Sequence, residues 1–191
     1  MRGLFIVKKI QDLDCGNQKK TGSIRIYINP DTIADILHDL DILPYSFEGS
    51  TFDENYADNV IEYLDNFLKV MERPPRISKP HGIIVIKLPY FRSRYACIGP
   101  THSHYFIFES FTFFDLLRIH HALHNYSKCL FITMKIVFDD DFPKVGLKEL
   151  FLMPILRFCN KYSVFYERHL SHIFPLDELT FYLKIIKSEE N

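Results

Sequence analysis

"RYACIGPTHSHYFIFE", residues 94–109, is the stretch on which the choice of fold class turns. Its two ends, RYACIG and HYFIFE, are short, aromatic and apolar, as strands are, and Gly99 and Pro100 break the chain between them. Read so, the two segments could form a hairpin. Strands and helices interleave along the chain without βαβ regularity or a glycine-rich phosphate loop, so the sheet is expected to be mainly antiparallel. Side chains in a strand alternate with a period of two, which puts His102 and His104 on one face. Two imidazoles side by side on a rigid strand can hold a divalent metal ion. The chain has nine histidines, so an ordinary reading stands beside that one: one ring hydrogen-bonded at a sheet edge, the other solvated.

Upstream, "GLFIVKKI" and "SIRIYIN" read as two strands joined by the polar link "QDLDCGNQKKTG". "NPDTIADILHDL" opens a helix, with Asn29 as N-cap and Pro30 at the first helical position. In "TFDENYADNVIEYLDNFLKVMER", Thr51 and Glu54 suit a capping box, and Val60, Leu64, Phe67, Leu68 and Met71 make an apolar helical stripe. "RPPRISKPHG" is a basic, proline-rich loop, and "IIVIKL" a strand.

Downstream, "SFTFFDLLRIHHALHNYSK" reads as a helix and "CLFITMKIVF" as the most apolar strand. "LKELFLMPILRFCNKYSVFYERHL" is a long helix with Pro154 inside it, and "DELTFYLKIIKSEE" a closing helix. The expectation is one α+β domain over 1–191. It has a mainly antiparallel sheet of four to six strands covered by helices, and a helical C-terminal part over about 146–191.

Composition narrows the function classes. The chain is 47% hydrophobic and 25% charged, enough apolar residues for a sizeable core. A formal charge of -1 excludes a polybasic nucleic-acid coat, so any nucleic-acid contact has to come from a local patch. The four cysteines stand apart with no C-x-x-C spacing, which suits free thiols in a reducing compartment. The apolar core of the N-terminus, LFIV, is short for a signal peptide, and no run approaches the roughly 18 apolar residues of a membrane span. The expected location is cytoplasmic, the host cytoplasm for a viral protein.

"RYACIGPTHSHYFIF" followed by "KYSVFYER" resembles the layout of HUH-type rolling-circle replication initiators, in particular the two-tyrosine, microvirus-like kind. The resemblance covers about residues 60–170 in order and spacing. It implies a metal-dependent, single-stranded DNA endonuclease in which His102 and His104 hold Mg or Mn, with Glu109 as the nearest third ligand. The metal would polarise a scissile phosphate. Tyr162 and Tyr166, at i and i+4 on a helix, would be the nucleophiles that form and resolve a phosphotyrosine, and Arg168 or Lys161 would ease phenol ionisation. Single-stranded DNA would be the partner.

Other patterns have plainer readings. "HSHYFIFE" also fits the histidine–glutamate spacing of cupins, but helical patterns fill about half of this chain. His120 and His124 border a core, "FDDDFP" is a solvated turn, and "RPPRISKPH" is a surface loop. The rival to the nuclease is a non-catalytic, viral or phage-type interaction protein that binds a protein partner through its aromatic surface.

Overall fold

The computed structural model describes residues 8–13, 20–28, 31, 34–42, 47–118, 130–139 and 147–187. Seven strands form one sheet: β1 (Ile10–Leu13), β2 (Ser23–Tyr27), β3 (Ile36–Leu37), β4 (Phe52–Asp58), β5 (Ser78–Pro89), β6 (Leu130–Phe138) and β7 (Glu178–Ile186). Their spatial order is β3-β2-β1-β4-β5-β7-β6. The pairs β1–β2, β2–β3, β1–β4 and β4–β5 are parallel. Only β7, inserted between β5 and β6, runs antiparallel to its neighbours. The sheet is therefore mixed and mostly parallel, which corrects the mainly antiparallel α+β expectation.

Helices are few and mostly short: α1 (Phe67–Met71), α2 (Arg73–Ile77), α3 (Arg94–Ile98) and α4 (Leu147–Lys161). A 3₁₀ turn at Ile61–Tyr63 follows β4, and a helical turn at Ser163–Phe165 runs into a π turn over Tyr166–Leu170. Several segments change class: Ile36–Leu37, inside the expected helix NPDTIADILHDL, is strand β3, and RPPRI, expected as a loop, is α2. RYACIG forms α3, with Ser93 Oγ accepting from Tyr95 N as its N-cap. HYFIFE is turn and loop with one isolated bridge, Phe106 to Tyr90. "TFDENYAD" is the central strand β4, and "ELTFYLKII", expected as a helix, is β7. The hairpin that RYACIG and HYFIFE could have formed does not exist. The expected helix at residues 110–128 appears as turns up to Arg118; its remainder, with His120 and His124, lies outside the described residues, as do Asn29, Pro30, Cys15 and Cys129.

Hydrophobic periodicity explains the core. On β7, Leu179, Phe181, Leu183 and Ile185 alternate inward and are all buried, pairing in register with Leu88, Ile86 and Ile84 of β5. Phe111 lies on this face, its ring 4.6 Å from that of Phe181. Phe67 of α1 sits at the centre of a second aromatic group, 5.8 Å from Phe106, 5.9 Å from Phe111 and 5.8 Å from Phe114. On the opposite face of the sheet Tyr56, Val85, Lys87 and Tyr182 are half-buried, with the Lys20 ammonium 3.6 Å from the Tyr56 ring centroid.

Buried carboxyls make stability pH-dependent. Glu167 accepts from Phe108 N at 2.9 Å, and burial raises its carboxyl above the ordinary 4.5 more than that bond lowers it. Such a group holds its proton more tightly when folded. Its contribution to stability is complete below the unfolded value and is lost as pH rises through the folded one. Chemical denaturation of Glu167→Gln should show the variant gaining on the parent between pH values below 4.5 and neutrality.

Candidate ligand crevice

The strand order reverses between β1 and β4. The chain leaves β1 for β2 on one side and returns to β4 on the other, and such a switch point opens a crevice outside the carboxyl ends of the strands. Two cavities lie there. The first, about 130 Å³, is lined by Tyr27 and Ile28 at the end of β2, His38–Asp41 after β3, and Val60, Tyr63 and Leu64 after β4. The second, about 230 Å³, lies over the ends of β4 and β5 and includes Asn59, Glu62, Tyr63, Tyr95 and His102. Tyr63 belongs to both.

Local chemistry fixes these walls. His38 N donates to Tyr27 O at 2.9 Å, and Asp39 Oδ1 accepts from Asp41 N at 2.9 Å, folding the chain sharply after β3. The Asp41 carboxylate accepts from Asp65 N at 3.1 Å and Asn66 N at 2.9 Å, fastening that turn to the start of α1. At the end of β4, Asn59 takes a left-handed φ of 53°, a conformation asparagine tolerates better than most residues, and turns the chain into the crevice. Asp12, wholly buried on β1, accepts from Lys20 N at 3.1 Å and ties down the β1–β2 connection.

The histidines and tyrosines singled out by sequence do not converge. His102 and His104 lie in a loop, not on a strand. Ser103 N and His104 N both donate to Glu62 O, at 2.8 and 3.2 Å. The rings part from there: His102 Nδ1 is 2.9 Å from Ala96 O, and His104 Nε2 is 2.7 Å from Leu64 O. Glu109 is exposed in the next turn, and Arg168 is exposed on the π turn. Among the described residues no group of three or more His, Cys, Asp or Glu side chains could hold a metal ion.

Tyr162 is half-exposed against Phe158, whereas Tyr166 is wholly buried, 5.0 Å from the Phe138 ring. The Tyr166 hydroxyl donates to Phe174 O at 2.9 Å and accepts from Leu176 N at 2.8 Å, and burial pushes its phenol well above the ordinary value. Removing that hydroxyl strands two buried backbone groups. Tyr166→Phe should cost about 1–3 kcal/mol in urea denaturation, where Tyr162→Phe costs close to nothing.

No family model matches the chain, and no curated protein does. Solved structures do. A SAM-dependent methyltransferase from Archaeoglobus fulgidus superposes with a TM-score of 0.59 at 20% identity, covering 93% of this chain and 86% of that one. A putative methyltransferase of Haloferax volcanii, solved in complex with the Trm112 methyltransferase activator, gives 0.57 at 13% identity over 94% and 83%. The [4+2]-cyclase SpnF gives 0.55 at 13% identity over 95% and 75%. This chain shares their fold.

That likeness corrects the rolling-circle reading. The HUH layout needs a histidine pair on a central strand; here the centre of the sheet is β1 and β4, and the pair lies in a loop. The DNA-nicking endonuclease, its Mg or Mn cofactor and single-stranded DNA as partner go with it. The non-catalytic interaction protein gains no support either, since the solved structures that share the fold include SAM-dependent methyltransferases. Among the described residues no helix is long and apolar enough to cross a membrane.

Sequence reading misses Tyr27, Asp39, Val60 and Tyr63, because they come from separate segments that meet only once the strand order is set.

Proposed function

We propose that this protein is a methyltransferase that uses S-adenosylmethionine and binds it in the crevice between the ends of β1 and β4. The observation that carries the reading is the strand order β3-β2-β1-β4-β5-β7-β6 with antiparallel β7, on a fold like that of the Archaeoglobus enzyme. When bound, the cofactor supplies a methyl group on a sulfonium, an electrophile that needs only a positioned nucleophile.

The residues present suit its nucleoside half. Ile28, Leu40, Val60 and Leu64 offer apolar walls for a flat base, and Tyr27 and Asp39 offer polar groups at the rim for a ribose. One position departs from the pattern: β2 ends on Tyr27, where dinucleotide-binding doubly wound folds carry an acidic residue for the ribose hydroxyls. Tyr27→Asp should therefore tighten binding of S-adenosylhomocysteine about tenfold, because a carboxylate accepts more strongly than a phenol. Calorimetry on the two proteins measures this.

The reading as a whole is tested by calorimetric titration with S-adenosylmethionine and S-adenosylhomocysteine. One-site binding of both supports it, and no heat from either at millimolar ligand overturns it. The free thiols of Cys97 and Cys159 suit a reducing cytoplasm as its location.

A further inference from the structure

Helix α4 and the turns after it carry apolar side chains on two sides, and the fold uses only one of them. Leu156, Cys159 and Tyr166 are buried. Asn160 fastens that side to β6, the edge strand of the sheet: its Oδ1 accepts from Phe138 N at 2.7 Å and its Nδ2 donates to Phe138 O at 3.1 Å. A second stripe runs beside the first. Ile155, Phe158, Tyr162 and Phe165 are between 42% and 50% accessible, and His169, also exposed, continues the line.

The spacing alternates between three and four residues, the a/d repeat of a helix-pairing seam. Hydrogen bonds from Tyr162 N to Phe158 O at 2.9 Å and from Tyr166 N to Tyr162 O at 2.8 Å carry the helical turn past the end of α4. The rings therefore meet in series. Centroids lie 5.1 Å apart for Phe158 and Tyr162, 6.4 Å for Phe158 and Phe165, and 4.9 Å for Phe165 and His169. A contiguous exposed apolar ridge of this kind marks a contact surface.

Charge says what fits it. Arg157, Lys161 and Arg168, all exposed, stand along the outer flank of the ridge. The Lys161 ammonium lies 5.2 Å from the Tyr162 ring centroid, so the cationic row adjoins the rings. Between Met153 and Leu176 the one acidic residue is Glu167. It is half-buried, accepts from Phe108 N at 2.9 Å, and offsets part of the charge of Arg168 alone.

A second copy, paired about a twofold axis, would set this row against its own like charges. A bilayer surface suits a broad apolar face, whereas Ile155 to Phe165 span about 80° of the helix, between the cations and the protein body. Nucleobases stack on open ring faces, whereas these rings lean on one another. We infer that the ridge docks an acidic amphipathic helix of a partner protein. Apolar side chains of that helix lie on the seam, and its glutamates or aspartates face Arg157, Lys161 and Arg168. The surface sits at the β6 edge, away from the crevice between β1 and β4, so it adds to the methyltransferase reading and does not depend on it.

The test uses the full chain and a synthetic helical peptide of about three heptads, with leucine at a and d and glutamate at e and g. Its like charges keep the peptide from pairing with itself. The controls are the same residues in scrambled order and a peptide with lysine in place of glutamate. Fluorescence anisotropy should find the acidic helix bound at least about tenfold more tightly than either control, and more weakly as salt rises. Phe158→Ala with Phe165→Ala should remove at least about tenfold of that affinity. Both residues are exposed, so the melting temperature should hold. Arg157→Glu, Lys161→Glu and Arg168→Glu together should turn the preference over to the lysine peptide, which a merely adhesive surface would not do. Equal binding of the peptides, no binding of any, or binding that survives the alanine substitutions overturns the inference. So does self-association of the chain, flotation with phosphatidylserine vesicles or binding of oligouridylate in place of peptide binding, where the alanine substitutions abolish it, because each assigns the ridge to another occupant.

Discussion

Phe181→Ala should lower the free energy of unfolding by about 3–5 kcal/mol, the cost of deleting a buried aromatic side chain and leaving its cavity. Phe181 is wholly buried in β7, opposite Ile86 of β5 and Ile136 of β6, with its ring against Phe111. β7 is the strand that stitches β6 to the rest of the sheet, so the lesion falls where two antiparallel ladders meet. Against a total stability of about 5–15 kcal/mol, the loss brings the fold near collapse. Tyr182→Ala, one residue along and facing the half-buried side, should cost about 1 kcal/mol or less. Leu183→Ala, two residues from Phe181 on the same face, should also cost several kcal/mol. Residues two apart share a face in a strand but lie about 200° apart on a helix, and urea denaturation of the three variants measures this.

On the proposed methyltransferase reading, S-adenosylhomocysteine should stabilise the fold by a comparable amount. At about a thousand times its Kd, a ligand that binds the folded chain and not the unfolded one adds about 4 kcal/mol by mass action. For a chain of this size each kcal/mol moves the melting temperature by about 2–4 °C, so the expected rise is about 8–16 °C. Adenosine should give a smaller rise at the same concentration. It fills the slot beside Ile28, Leu40 and Val60 but makes none of the contacts of the amino-acid end. A melting curve unmoved by the cofactor product would contradict a preformed crevice.

Some of this architecture was legible in the sequence. The strands SIRIY, IIVIKL and LFITMKIVF stand where their apolar, β-branched composition placed them. The alternation of Leu179, Phe181, Leu183 and Ile185 was also there to read. It was masked by the flanking Asp177, Glu178 and Lys187, which mimic the charged ends of a helix. β4 was harder, because FDENYAD is polar for a central strand: Asn55 is wholly buried, and its amide nitrogen finds an acceptor only in context, donating to Ser78 Oγ at 2.7 Å.

The parallel pairing was hardest of all. Residues 14–22 between β1 and β2 are fewer than the dozen or so that a parallel crossover ordinarily takes, and so short a link argues for a hairpin. The crevice followed the same logic. Its walls come from segments distant in sequence, Tyr27, Asp39 and Val60, that meet only once the strand order is known. The histidine pair was visible at once because it is local, yet its chemistry is set by two carbonyls, Ala96 O and Leu64 O, that no local pattern reveals.

The most direct test is hydrogen exchange on the full chain with and without S-adenosylhomocysteine. The crevice account predicts that protection rises in residues 36–42 and 59–64, the segments that line the first cavity, and stays unchanged along β6. Protection confined to other segments, or none at all at saturating ligand, would contradict it.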